Sequence, residues 1–536
     1  MFNAIIRFSL RNKLIVILFT LTVLGFGIFS MIHLPVGAVP DITNNQVQVI
    51  TVSPNLATQD VEQFITYPVE LEMSNLPGVK EIRSISKFSL SVVTVVFEDN
   101  MGTWLPRQLI SEKIKAASAK IPEGFGTPEM GPITTGLGEI YQYILDVKPG
   151  YENRYSPMEL RTIQDWIVKR QLSGIPGVVE INTWGGYLKQ YEIAASPPLL
   201  AANGISINDL FLAVQKNNDV AGGAYIEKAG RSYFIRGDGL ARSLDDLRNI
   251  VIITRNGIPL KVADVAEVRY GHANRFGAIT ANGQGEKVLG QVMMLKGANS
   301  MEVINEVKRR VKEVQKTLPE GVFINPIVDR SELIHKTTTT VIENLSLGIL
   351  IVMVVVLLIL GNLRAGLVIA SIIPLALMFT FSLMYIFHID ANLMSLGALD
   401  FGVIIDGAVI IVEFILIQIL AARSELATPD KATRKNVMDR IAFEGSSKML
   451  NSAIFGQLII LIVFIPILSL TGVEGKMFRP MALTFSFALV GAMIMGFTWL
   501  PVASALFLKP AKTTRTLTDR IMNLAYKTYT PSIAWA

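Results

Sequence analysis

The sequence predicts an α+β membrane protein: six transmembrane helices and one large extracytoplasmic region of α/β subdomains. Three observations predict it. Six stretches stay apolar over roughly the 20 residues that a bilayer crossing needs. A segment of soluble composition, residues 34–336, separates the first stretch from the second. Of all 536 residues 51% are hydrophobic and 17% charged, where soluble domains carry about 25% charged.

Taken in order, residues 1–13 form a short cytoplasmic interfacial segment and 14–33 the first span. Arg7, Arg11 and Lys13 precede that span, which puts the N-terminus in the cytoplasm. The apolar run is long for a cleaved signal peptide and no small-residue cleavage site closes it, so it reads as an anchor. The other five spans fall within 337–509, at about 341–360, 367–387, 393–420, 453–470 and 481–507. Alternation places 423–448, read as a loop, on the cytoplasmic side. That segment holds Arg423, Lys431, Arg434, Lys435, Arg440 and Lys448. The tail 510–536 falls on the same side with further basic residues, as the positive-inside rule requires. Pro374, Pro466 and Pro501 lie in or at the edge of spans and read equally well as hinges or packing kinks.

The outer region alternates strand and helix patterns. Residues 46–53 alternate polar and apolar, 58–76 and 104–121 have helical spacing, and 80–98 reads as a hairpin. The order then recurs: strand 140–147, helix 156–172, strand 178–182, and later strand 287–295, helix 300–318, strand 322–328. Two strand–helix–strand–strand–helix–strand units fit, the ferredoxin-like split motif, at 41–137 and 138–330. An insert at 187–273 interrupts the second unit, which leaves it 138–186 and 274–330. The insert carries turn signals at Asn203-Gly204 and Asn256-Gly257.

The functional signal lies in the fourth span. Asp400, Asp406 and Glu413 are carboxylates inside one apolar run, and each costs about 2.5–3.5 kcal/mol when charged at a membrane centre. Such residues are kept where they face protein or water, and they mark proton or ion pathways. Asp406 and Glu413 are seven residues apart, so they share a helix face about 10.5 Å apart along the axis. Asp400 is turned about 120° from Asp406. Asp406 is expected to be buried at mid-span, a proton-relay residue, with Asp400 and Glu413 beside it in the relay.

Other chemistry is thin. There is no cysteine, hence no disulfide and no thiolate metal site. The four histidines are scattered, with no i, i+4 pair, so no metal-ligand set is assigned. The twenty methionines read as ordinary apolar filler before they read as a soft-metal relay. Residues 283–287 and 472–476 lack the phosphate-loop spacing and are expected to be turns. No nucleophile–base set stands out, so an enzyme is not expected and no cofactor is expected. A net charge of +5 without basic tracts interleaved with aromatics argues against a nucleic-acid partner.

Long stretches resemble one family. They are LPVGAVPDITNNQVQV at 34–49, ATQDVEQFITYPVE at 57–70, GPITTGLGEIYQY at 131–143, ALDFGVIIDGAVIIVE at 398–413 and FRPMALTFSFALVGAMI at 478–494. The chain resembles the resistance-nodulation-division (RND) transporters, in their CzcA/CusA-like heavy-metal efflux branch. The run from Asp400 to Ala408 is similar to the divalent-cation subtype; the monovalent subtype lacks the first aspartate.

The resemblance implies a proton antiporter in a Gram-negative inner membrane, a secondary active transporter with a large periplasmic domain. It implies a homotrimer embedded in membrane lipid, with a periplasmic adaptor protein and an outer-membrane channel as partners. Heavy-metal cations such as cobalt, zinc or cadmium would be substrate, and the proton the coupling ion. The 187–273 insert becomes a docking subdomain, and the two units become porter subdomains. The sequence departs from the family in carrying one set of six spans where members carry two, and Phe414 where Asn is usual. The expectation is an N-terminal half that needs the C-terminal half of the transporter. Export of organic compounds on the same scaffold, or a half-protein that only assembles with a partner, are the alternative readings.

Overall fold

The structure, a computed structural model, describes residues 2–509 apart from 38, 276, 398, 400, 428 and 429, together with 526, 527, 529–531 and 533. The chain divides into two units. One comprises Met1–Ile140, Met294–Asn305 and Asp329–Ala536; the other comprises Tyr141–Met293 and Glu306–Val328.

The first unit holds the apolar helices. They are α1 (Phe2–Arg11), α2 (Lys13–His33), α3 (Arg330–Leu360), α4 (Leu363–Ala370), α5 (Ile372–Ile386), α6 (Leu393–Gly397), α7 (Phe401–Ala421), α8 (Lys431–Val463), α9 (Ile465–Leu468), α10 (Gly472–Phe497) and α11 (Trp499–Phe507). Among the described residues six stretches are long and apolar enough to cross a membrane: Lys13–His33, Arg330–Leu358, Leu363–Ile386, Leu393–Ala421, Lys431–Leu468 and Gly472–Phe497. Together they make this an integral membrane protein. α5 packs against α2 on one side and α10 on the other, and α7 packs along α8. One apolar core runs through them, from Ile6 of α1 to Val502 of α11.

Three prolines account for the helix breaks. Pro374, Pro466 and Pro501 each stand second or third in a new helix, directly after the interruptions at Ser371, Phe464 and Thr498. Proline has no N–H to offer the carbonyl four residues back, and its ring crowds that carbonyl. The spans are therefore segmented there.

One expectation is corrected. The segment 423–448 is no loop: from Lys431 the chain is helical without a break for 33 residues. Asp430 starts the helix, its carboxylate accepting from the N–H groups of Ala432 and Thr433 at 3.1 Å each. No proline stands between Lys431 and Val463, so the polar residues 431–448 are the first half of the same helix as the fifth span.

The same unit carries a four-stranded sheet of β1 (Gln46–Val52), β2 (Val79–Lys87), β3 (Leu90–Phe97) and β4 (Glu129–Met130), in the order β2-β3-β1-β4. β1 pairs antiparallel with β3, Val49 opposite Val93. Val47, Val49, Val93, Val95 and Phe97 face inward against Ile65, Val69 and Met73 of the first helical stretch and Ile110 of the second.

The second unit repeats the pattern. β5 (Glu139–Val147), β6 (Val178–Trp184), then β14 (Glu286–Met294) and β15 (Val322–Asp329) stand in the order β6-β14-β5-β15, with β13 (Ile279–Thr280) also on β14. Between β6 and β13 the insert folds on its own core of Leu200, Leu210, Leu247, Val262 and Val268. It contains β7 (Lys189–Ala195), β8 (Val220–Lys228), β9 (Arg231–Asp238), β10 (Val251–Arg255), β11 (Ile258–Lys261) and β12 (Ala266–His272). β7 pairs with β12. Asn256 and Gly257, at φ 50° and 81°, form the turn between β10 and β11. The hairpin β8–β9 is exposed along its whole length, with Phe234 84% exposed.

A repeat that the strand and helix patterns did not bring out is visible in the fold. Leu76-Pro77-Gly78-Val79 and Ile175-Pro176-Gly177-Val178 occupy matching places, each leading into a strand. Gly78 and Gly177 adopt the same left-handed backbone, φ 74° and 84°. The helix before each contains a π turn, Glu62–Thr66 and Gln164–Val168.

Candidate proton and ion pathway

The candidate site is built on α7. One face of this helix, Ile404, Ile405, Ala408, Ile411, Val412, Ile415 and Ile419, is buried among its neighbours. Asp406, Ile410, Glu413, Ile417 and Leu420 are exposed. Their spacing of four, three, four and three residues makes one stripe. The two acids therefore share a face, as their spacing requires. The expected burial of Asp406 is corrected: it lies on the open stripe. Glycine, alanine and isoleucine fill the packed arc, and only the uncovered face has room for a carboxylate. Asp400 lies outside the described residues.

Two glycines set how α7 meets α8. A Cβ on Gly445 would sit 2.6 Å from Cγ1 of Ile415, and a Cβ on Gly407 would sit 3.3 Å from Nε2 of Gln457 and 3.4 Å from Cβ of Ala453. The helices are antiparallel and nearly touch at Gly445. Gly445→Leu is expected to cost about 1–3 kcal/mol of stability by forcing them apart. Thermal melting of the detergent-solubilised chain checks it; an unchanged melting temperature contradicts the contact.

Sequence reasoning missed one residue. Lys448 belongs to no loop: it stands midway along α8, with Nζ 5.2 Å from the ring centroid of Phe414. The helical spacing of residues 431–448 was the available signal, but their polarity concealed it.

A cavity of about 980 Å³ opens at the ends of the spans that the sequence assigns to the outer side. Asp41, Lys80, Lys296, Asp390, Lys476 and Arg479 are among its lining residues. Lys476 donates to the Thr43 carbonyl at 2.9 Å and lies 2.7 Å from Asp99. Asp390 keeps an exposed edge. Even so, the protein packed round its carboxyl, and then the charge of Asp41, push it above the usual carboxylate range. The folded carboxyl therefore holds its proton at higher pH than the unfolded one. Stability rises as pH falls through that window and drops as pH rises through it. Asp390→Asn is expected to be slightly more stable at pH 7, with a flatter stability profile in mild acid, in melting curves against pH. A steeper profile contradicts this. Among the described residues no three of His, Asp or Glu come together in a way that could hold a metal ion.

Known proteins resemble this chain in sequence and fold. Residues 5–536 match the family model described as the AcrB/AcrD/AcrF family. The chain is 45% identical over 535 residues to the "Cation efflux system protein CzcA" of Alcaligenes sp. (strain CT14), covering 99% of this chain and 50% of that protein. It is 38% identical over 541 residues to the "Nickel and cobalt resistance protein CnrA" of Cupriavidus metallidurans, covering 95% and 49%. A crystal structure described as a heavy metal efflux pump superposes with a TM-score of 0.80 at 32% identity, covering 93% of this chain and 48% of that one. The chain thus spans about half the length of the curated relatives it matches. A match over nearly every residue, together with six apolar helices and a repeated sheet unit, means that this chain belongs to the AcrB/AcrD/AcrF family of RND efflux proteins.

Proposed function

We propose that this chain is the N-terminal half of a proton-driven exporter of divalent heavy-metal cations, cobalt, zinc or cadmium, in a Gram-negative inner membrane. The observation that carries the reading is the acid stripe of α7: two carboxylates on one open face of an apolar helix. Such groups are kept where a proton or ion must pass. A proton entering from outside yields about 2.3 kcal/mol per 100 mV of membrane potential, which would drive metal outward. Relatives named for resistance to cobalt, zinc, cadmium and nickel support the choice of cargo.

In this reading the two sheet units are ferredoxin-like porter subdomains, and the order β2-β3-β1-β4, repeated as β6-β14-β5-β15, supports that assignment. The 187–273 insert is the docking subdomain that meets an outer-membrane channel, with a periplasmic adaptor alongside. Its bare hairpin β8–β9 supports a homotrimer: two strands with no core of their own need cover from a neighbour. The open stripe of α7 would meet the transporter's C-terminal half, which also supplies the rest of the metal cleft. Asp400 belongs to the proton relay with Asp406 and Glu413.

Topology tests the frame. Alkaline phosphatase fused after Gly150 is expected to be active, and fused after Asp430 inactive. The reverse pattern overturns the orientation and, with it, the direction of transport.

A further inference from the structure

α1 is clamped along one side. The Ser447 hydroxyl donates to the Asn3 side-chain oxygen at 2.7 Å, the Arg7 guanidinium stands 5.1 Å from the ring centroid of Phe443, and Lys13 pairs with Asp439. Residue numbers rise along α1 as they fall along α8, so the two helices run antiparallel. α2, α10 and α11 pack on α1 as well, and Ile6, Ser9 and Leu10 are buried. The contacts with α8 fall in its polar half, directly before it turns apolar at Met449. With 33 residues α8 is about 50 Å long, against about 30 Å of hydrocarbon. Its polar half therefore stands beyond the hydrocarbon, and α1 lies at headgroup depth, on the side that the sequence assigns to the cytoplasm.

The other side of α1 is bare. Asn3, Ala4, Arg7, Phe8 and Arg11 are exposed, and helical geometry sets them within about 140° of arc. Phe8 is 54% exposed. Arg7 and Arg11 stand one turn apart on this arc, close enough for both to reach one anion. Among the described residues neither has a carboxylate in ion-pair range. The acids of the neighbourhood are engaged elsewhere or apart: Asp439 holds Lys13, Glu425 holds Arg440, and Glu444 makes no ion pair with either arginine. Lys431, Arg434 and Lys435 at the start of α8 are exposed and add positive charge on the same side of the membrane. Two arginines and an apolar ring on one face, at this depth, match a phosphate that carries an acyl chain. The guanidinium fork fits phosphate oxygens in pairs, whereas a free phosphate would leave Phe8 uncovered.

We propose that the bare face of α1 binds one anionic phospholipid of the inner leaflet. Arg7 and Arg11 clamp its phosphate, and an acyl chain lies along Phe8 and Ala4. Arg7 is held ready by the ring of Phe443, over which its guanidinium keeps its charge. Bound there, the lipid fixes α1 at the root of the first span. The site needs only that the chain sits in a membrane and stands apart from the proton-driven reading.

The test titrates the purified 536-residue chain, in a neutral detergent, with a fluorescent phosphatidylglycerol in mixed micelles, read by anisotropy. Each arginine beside a headgroup is worth about fivefold in affinity, so Arg11→Gln should weaken binding about fivefold, and Arg7→Gln with Arg11→Gln about thirtyfold. Among the described residues the Arg11 side chain makes no hydrogen bond or ion pair, so the single variant keeps its fold where the double one does not. Lys431→Gln with Lys435→Gln removes the same charge and should weaken binding less. Phosphatidylcholine with the same acyl chains should bind more weakly, and inorganic phosphate in millimolar excess should not displace the lipid. Equal losses from the two pairs mean a diffuse basic surface, and displacement by phosphate means a site for a free anion. Loss of binding in the pump assembled with its complementary half means that protein covers this face. Each of these outcomes overturns the proposal, as does an unchanged affinity in Arg11→Gln.

Discussion

Asp406→Asn, in a pump assembled with its complementary half, is expected to abolish metal resistance while the protein still reaches the membrane. Asparagine matches aspartate in size and keeps a polar group on the stripe, so the packing of α7 through Ile404, Ile405 and Ala408 is left alone. What is lost is the proton. A group that cannot be protonated and deprotonated draws nothing from a membrane potential worth about 2.3 kcal/mol per charge per 100 mV. Growth against graded zinc or cobalt should match an empty vector, with wild-type amounts of protein in the membrane fraction. Full resistance would remove Asp406 from the proton path. Glu413→Gln should do the same less completely, because Asp406 still loads.

The second large effect concerns the chain by itself. Reconstituted alone, the 536 residues are expected to move neither metal nor protons. The face of α7 that carries Asp406 and Glu413 would then lie against hydrocarbon, and the part of the metal cleft assigned to the complementary half would be missing. Co-expression with a complementary half should switch on both fluxes. The measurement is a pH-sensitive dye in liposomes with zinc added on one side. Metal-dependent proton movement by the purified chain alone would refute the expectation, and would mean that two copies complete each other.

Much of this architecture was legible in the chain. Spans of about 20 apolar residues declare themselves by length, since few other structures need them. The helix placed at 156–172 was legible from the recurring pattern, and the structure adds its cap: Ser156 before Pro157–Ile163 accepts from the Glu159 N–H in a reciprocal box. The turn at Asn256-Gly257 was legible because few other residues tolerate that backbone. The helix start at Lys431 was not, because residues 431–448 are polar, and polarity reads as loop when the partner surface is unknown. The exposure of Asp406 was not legible either. Spacing places it on Glu413's face, but which face the neighbours cover depends on contacts such as Ile415 with Gly445, far apart in sequence. Lys448 was lost for the same reason.

The matched turns at Gly78 and Gly177 supply the molecule with an internal replicate. One backbone geometry is written twice in the same chain, in two sheets of the same strand order. Alanine at either place meets the same left-handed penalty, about 1–2 kcal/mol. Any difference between the two variants therefore belongs to the surroundings. A Cβ at Gly78 would lie 2.1 Å from the sulfur of Met101, so shortening Met101 should relieve that variant specifically. Backbone cost and neighbour cost, which single substitutions report only as a sum, become separable by subtraction within one protein.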